Sequence, residues 1–150
     1  MRLEIFQATI DDLEALLPLV TGYRVFYERE PKPQSEREFL ERNLRDGRST
    51  IFLARDAGSG SIVGFVQLFP AYSTVWLGPQ LILEDLFVAP DARGGGAATK
   101  LLERAETYAR EIGAVGMFLE TAMDNEIAQR VYERAGWTRE NRFYKYNAKL

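Results

Sequence analysis

The feature that most constrains this chain is a change of hydrophobic period across a glycine turn, in the stretch LILEDLFVAPDARGGGAATKLLERAETYAREIGA from Leu81 to Ala114. Leu81 to Val88 is an apolar run of strand formers interrupted only by Glu84 and Asp85. Pro90 and Asp91 punctuate it, and Arg93-Gly94-Gly95-Gly96 follows. From Ala97 the period becomes helical, with Leu101, Leu102, Ala105, Ala109 and Ile112 on one face. Strand, glycine turn and helix in this order make an anion cradle. Glycines let successive backbone N–H groups turn inward without a Cβ clash. The first helical turn adds unpaired N–H groups and the positive end of its dipole. The predicted ligand is a phosphate or pyrophosphate.

Two familiar phosphate loops do not fit. A P-loop needs Gly-Lys followed by Ser or Thr, whereas here Thr99 precedes Lys100. A dinucleotide fingerprint needs a third glycine where Thr99 stands, and its strand would not carry two acids. A plain helix-entry loop stays open as the simpler alternative.

Composition narrows the chemistry. A chain of 150 residues is expected to form one domain, 1–150, with a single core. A net charge of −3 lacks the basic footprint of a nucleic-acid binder, so no such partner is expected. The chain has no Cys and no His. That excludes disulfides, thiol nucleophiles and His-based triads, and it removes the usual zinc ligands, so no metal is expected. Proton transfer falls to Glu, Asp, Tyr, Lys or water. Met1-Arg2-Leu3-Glu4 is no apolar signal segment and no run reaches spanning length, which predicts a cytoplasmic protein without a membrane partner.

The remaining elements follow in order. Arg2 to Ala8 reads as a strand, and Thr9 caps a helix that begins with Asp11 and Asp12 and runs to about Tyr27, before Pro31 and Pro33. Ser35 and Glu38, at capping-box spacing, open a second helix that ends at Asp46-Gly47. Ser49 to Arg55 and Ser61 to Phe69 are strands about a hairpin turn, and Pro70 to Pro79 is a loop. Val115 to Thr121 is a fifth strand, and Asn125 to Ala135 a short helix capped by Gly136. Trp137 to Arg139 and Arg142 to Lys149 read as closing strands. The whole is a mixed α/β pattern.

Two motifs carry a family resemblance. Arg93-x-x-Gly96-x-Ala98, after a strand ending Asp85-Leu86-Phe87-Val88-x-Pro90, resembles the acetyl-CoA signature of the GCN5-related N-acetyltransferases (GNAT). Asn125-x-x-Ala128-x-x-x-Tyr132-x-x-x-Gly136-Trp137 is similar to that family's later motif. Within the family, Leu83-Glu84-Asp85 resembles the matching strand of diamine- and polyamine-acetylating members, and histone-type members come next. The resemblance implies a twisted mixed sheet of six to seven strands flanked by about four helices, with strands four and five splayed to admit the cofactor. It implies acetyl-CoA as cosubstrate and a primary amine as acceptor, either a small molecule (polyamine, diamine or amino acid) or a lysine-containing peptide. Family analogy adds a homodimer.

Residue roles follow from the same resemblance. Main-chain groups of Leu86, Phe87 and Val88 would hold the pantetheine arm. The turn of Arg93, Gly94, Gly95, Gly96, Ala97 and Ala98 would hold the pyrophosphate, and Asn125, Ala128 and Tyr132 the outer wall of the channel. The family usually has a large aliphatic where Ala97 stands, and the triple glycine loosens the loop. An amine of lysine type has a pKa of about 10.4 and needs a base. Glu84 and Asp85 point to opposite sides of a regular strand, so one at most faces the site unless a bulge intervenes. The resemblance selects Glu84 as base; a structural, salt-bridged acid is the alternative. It makes Tyr132 the general acid toward the departing thiolate, although helical spacing alone reads Tyr132 as core. Tyr27 and Glu28, with Glu84 and Asp85, form the expected acceptor site, where aromatic and acidic groups suit a cation. Packing of Tyr27 on its own helix is the alternative. A non-catalytic acyl-CoA sensor is the rival function.

Overall fold

The computed structural model describes all residues, 1–150. The chain divides into two compact units, 1–120 and 121–150. The first holds one sheet of five strands in the order β1-β2-β3-β4-β5. These are β1 (Leu3–Gln7), β2 (Thr50–Asp56), β3 (Ile62–Ser73), β4 (Gly78–Val88) and β5 (Gly116–Phe118). Neighbours are antiparallel except β4 and β5, which run parallel.

The first helix, α1 (Leu13–Phe26), is entered through a single 3-10 turn. Thr9 caps that turn with a capping box: its side chain accepts from the Asp11 N–H, and Asp12 reaches back to the Thr9 N–H at 2.8 Å. The second helix, α2 (Pro33–Asp46), ends on Gly47 at φ 63°, as the glycine predicts. Its start differs from the expected Ser35–Glu38 box. Pro33 occupies the first turn, where its missing N–H costs nothing, and the Glu36 carboxylate accepts from the Lys32 N–H at 2.9 Å. Leu13, Leu16, Leu19 and Leu40 bury against Ile51, Leu53, Phe65 and Phe87 of the sheet. The third helix, α3 (Ala97–Glu111), buries Leu101, Leu102, Ala105 and Ala109. Its Leu101 reaches Gly64 of β3, where an added Cβ would stand 2.9 Å from the Phe87 carbonyl and 3.3 Å from Leu101 Cδ1.

Three strand expectations are corrected. The stretch from Pro70 is not a loop throughout, because β3 continues to Ser73 and pairs with β4 from Gly78, leaving a short hairpin tip. The fifth strand is shorter than Val115 to Thr121, since only Gly116–Phe118 finds a partner. The expected sheet of six to seven strands has five. Trp137 to Arg139 and Arg142 to Lys149 have strand-like composition but no pairing, and residues 138–150 are exposed. Alternation gives a propensity; a strand exists only where another takes up its hydrogen bonds.

The second unit holds α4 (Glu126–Arg134). Asn125 caps it, its side-chain oxygen accepting from the Ala128 N–H at 3.2 Å. Gly136, at φ 93°, closes the other end, where the Trp137 N–H donates to the Tyr132 carbonyl at 3.0 Å. No helix of the protein is long and apolar enough to cross a membrane.

Candidate active site

The site grows from an irregularity in β4. Asp85 stands opposite Gln67, but Leu83 stands opposite Leu68, so Glu84 has no partner and bulges from the ladder. The two adjacent acids have different surroundings. Glu84 is exposed, and its carbonyl accepts from the Tyr23 hydroxyl at 3.3 Å. Asp85 turns toward the face covered by α1 and α2, where it lines a cavity of about 360 Å³ with Tyr23, Arg24, Lys32, Glu36 and Gln67 among its walls.

Asp85 is fixed by a polar chain that the sequence reading missed. Gln67 is buried, and its amide oxygen accepts from Asn43 Nδ2 at 3.1 Å and from the Ser49 hydroxyl at 2.8 Å. Two donors on the oxygen dictate which way the amide faces, so Nε2 donates to Asp85 Oδ2, at 2.6 Å. The signal was present: Gln67 is the one polar side chain in Ile62 to Phe69. Burial pushes the Asp85 carboxyl up to about 6; the hydrogen bond from Gln67 pulls it back, the Glu84 charge raises it further, and Tyr23 lowers it again. Burial also raises the Tyr23 phenol, with Asp85 and Tyr27 adding to the shift. The Tyr23 ring meets Phe65, Phe87 and Tyr27 edge-on at 6.0, 5.9 and 5.0 Å.

Glu36 lies in the same cavity with the opposite electrostatics. Burial pushes its carboxyl up, but hydrogen bonds from the Lys32 N–H, Thr21 and Arg24 outweigh that and hold it below the ordinary carboxylate value. Its ion pair with Arg24 is 2.9 Å long. This cluster ties the end of α1 to the start of α2.

The other side of β4 presents backbone. Pairing with β5 covers only Gln80 to Ile82, so from Leu83 to Val88 no strand pairs with β4 on that edge. The Ala89 N–H donates to the Val63 carbonyl, toward β3. By alternation Leu86 and Val88 turn their N–H and C=O groups to the open edge, and Phe87 turns its own toward β3. The glycine turn comes next. Gly94 and Gly96 have φ 85° and 84°, the left-handed region that L side chains avoid. No side chain caps α3, and the N–H groups of Gly94, Gly95, Gly96, Ala97 and Ala98 make no backbone hydrogen bond outside that helix. A row of unclaimed donors at a helix N-terminus is what a pyrophosphate needs. The Arg93 side chain is committed differently: its Nε donates to the Val88 carbonyl at 3.1 Å, and its guanidinium lies 5.6 Å from the Phe87 ring and 5.8 Å from Phe26.

Thus Leu86, Val88 and the turn from Arg93 to Ala98 share one edge, and Asp85 sits on the α1–α2 face next to it. Tyr27 caps α1 and Glu28 follows at φ 60°; both are exposed and neither lines the cavity. Asn125, Ala128 and Tyr132 belong to the second unit, where Tyr132 is half-buried and packs 5.9 Å from the Trp137 ring. No group of three or more acidic side chains is placed to hold a metal ion.

Known proteins match this architecture. The pattern of the Acetyltransferase (GNAT) family fits residues 13–137. An uncharacterized N-acetyltransferase of Bacillus subtilis is 37% identical over 96% of this chain and 95% of its own length. An aminoalkylphosphonate N-acetyltransferase of Salmonella typhimurium is 30% identical over 89% of this chain and 84% of its own. The crystal structure of a probable acetyltransferase superposes with a TM-score of 0.91 at 41% identity, covering 100% of this chain and 98% of that one. A family pattern over most of the chain and a relative of this identity and coverage establish that this chain belongs to the GNAT family and is an acetyltransferase.

Proposed function

We propose that the protein transfers the acetyl group of acetyl-CoA to a small primary amine by direct attack, with residues 1–150 acting as one catalytic domain. The observation that carries this is the juxtaposition on β4 of an unpaired backbone edge, leading into the glycine turn, and a carboxylate turned into a cavity on the other face. In this reading the edge at Leu86, Phe87 and Val88 takes the pantetheine arm and the turn from Arg93 to Ala98 takes the pyrophosphate. The family pattern covers residues of both units, which supports keeping for Asn125, Ala128 and Tyr132 the cofactor roles that the resemblance implies.

The amine nitrogen attacks the thioester carbonyl carbon, the C–S bond breaks, and the amide bond forms. The amine proton passes to the Glu84–Asp85 pair; Asp85 is the member in the cavity, and exposed Glu84 beside it connects to solvent. Tyr132 protonates the leaving thiolate. Tyr27 and Glu28 guide the acceptor at the mouth. No Cys is available for an acetyl-enzyme, in keeping with direct transfer. A relative whose name gives an aminoalkylphosphonate as its substrate supports a small-molecule acceptor over a lysine-containing peptide. A cytoplasmic location goes with an intracellular thioester donor. A homodimer completes the reading, supported by the exposed Phe143, Tyr144 and Tyr146.

Thiol release from acetyl-CoA across a panel of amines tests this, and a chain without Cys adds no background. Amine-dependent release is expected. Acetyl-CoA binding without release in any amine would favour the sensor alternative, and absence of binding would sink the assignment.

A further inference from the structure

Four charged residues line the cavity: Arg24, Lys32, Glu36 and Asp85. Two of them are already matched. One Glu36 oxygen accepts from the Thr21 hydroxyl, and the other accepts from Arg24 Nη1 and the Lys32 N–H, both at 2.9 Å. Arg24 Nη1 also donates to the Glu30 carbonyl at 2.6 Å, which leaves its Nη2 and Nε uncommitted. Lys32 makes no ion pair. Asp85 has no cationic partner either, only the neutral Gln67 amide and the Tyr23 phenol. The charged side chains lining this cavity without an ionic partner are therefore those of Asp85 and the exposed Lys32, and the Arg24 guanidinium is only partly committed.

We propose that the acceptor is a compact primary amine that also carries an oxyanion, bound with its nitrogen at Asp85 and its oxyanion toward Lys32 and Arg24. The inference rests on the reading above that this cavity is the acceptor side of the transferase. It names a class that excludes the alternatives by repulsion. The second ammonium of a diamine or polyamine would face Lys32 and Arg24. Between walls formed by Val20, Phe39, Leu40 and Phe65, that repulsion is less screened than in water. A monoamine without a second charged group would leave Lys32 without an anionic ligand partner. The volume, about 360 Å³, is at the small end of ligand cavities and suits an acceptor of amino-acid size.

The test compares kcat/KM for four acceptors of similar length: β-alanine, 2-aminoethylphosphonate, propylamine and 1,3-diaminopropane. At least one oxyanion-bearing amine is expected to exceed both others by about 10-fold or more, and the pair distinguishes carboxylate from phosphonate as the oxyanion. Lys32→Glu, a change at an exposed position, is expected to invert the order, lowering the zwitterion and raising the diamine. A wild-type preference for propylamine or the diamine overturns the proposal, as does an order unchanged by Lys32→Glu. Silence with both zwitterions overturns it too. The broader transferase reading fails separately, through loss of acetyl-CoA binding, measured as its effect on thermal unfolding.

Discussion

Gln67 and Asp85 face each other across β3 and β4, and the amide of the first donates to the carboxylate of the second at 2.6 Å. The donor cannot rotate away, because Asn43 and Ser49 occupy the amide oxygen. One buried side chain thereby fixes the direction of the carboxylate in the cavity and tempers the rise in proton affinity that burial causes.

Gln67→Ala removes the donor that stabilises ionised Asp85. Its carboxyl should then titrate above the value of about 6 that it has with Gln67 in place, and the acid limb of the pH–kcat/KM profile should move to higher pH. Asn43 and Ser49 lose their acceptor, at a cost of about 1–3 kcal/mol in denaturant unfolding. An unmoved acid limb would separate Gln67 from the proton transfer.

Asp85→Asn tests the same group through stability. The folded carboxyl titrates at about 6 against an ordinary value of 3.8, so the raised group supports the fold fully below pH 3.8 and loses that contribution as pH rises through about 6. Relative to wild type, the variant should gain roughly 3 kcal/mol between those limits and stay level above them. Activity should fall as stability rises. A pH-independent stability difference would mean that Asp85 is not strained by burial.

Glu36→Gln should behave oppositely. The Glu36 carboxyl is held below its ordinary value of 4.5, so its contribution is present above that pH and lost as pH falls. The substitution should cost about 1–3 kcal/mol near neutral pH and little in acid, discounted because Arg24 is partly exposed. Thermal unfolding from pH 3 to 8 checks it.

Gly96→Ala isolates the turn. Nothing lies within 4 Å of the added Cβ, so the effect is backbone strain at φ 84° and not a clash. A cost of about 1–3 kcal/mol should weaken acetyl-CoA binding by about 5-fold or more. Calorimetric titration with acetyl-CoA reads it directly; an unchanged Kd would remove the turn from the binding site.

Tyr132→Phe should lower turnover by roughly 10²-fold with acetyl-CoA affinity little changed, if the hydroxyl protonates the thiolate. Unchanged turnover would leave Tyr132 as a packing partner of Trp137.

Much of this molecule is legible in its residues. The period change at Ala97, the glycines at 94 and 96 and the cap at Thr9 fix their elements locally, because each is set by the backbone conformation of a few neighbouring residues. The two acids in β4 stand out for the same reason. The closing strands at 137–149 do not form, because composition alone cannot supply a pairing partner.

The choice between Glu84 and Asp85 as the group in the cavity was not local. Strict alternation says that the two oppose each other; the register shift opposite Gln67 and Leu68 decides which one turns inward. Asn43, Gln67 and Asp85 come from a helix and two strands and meet only when the sheet is assembled. Sequence determined which residue types and turns were available, through short-range sterics and periodicity. Tertiary structure alone decided which carboxylate is desolvated, because desolvation is a property of everything packed around a group and not of its neighbours in the chain.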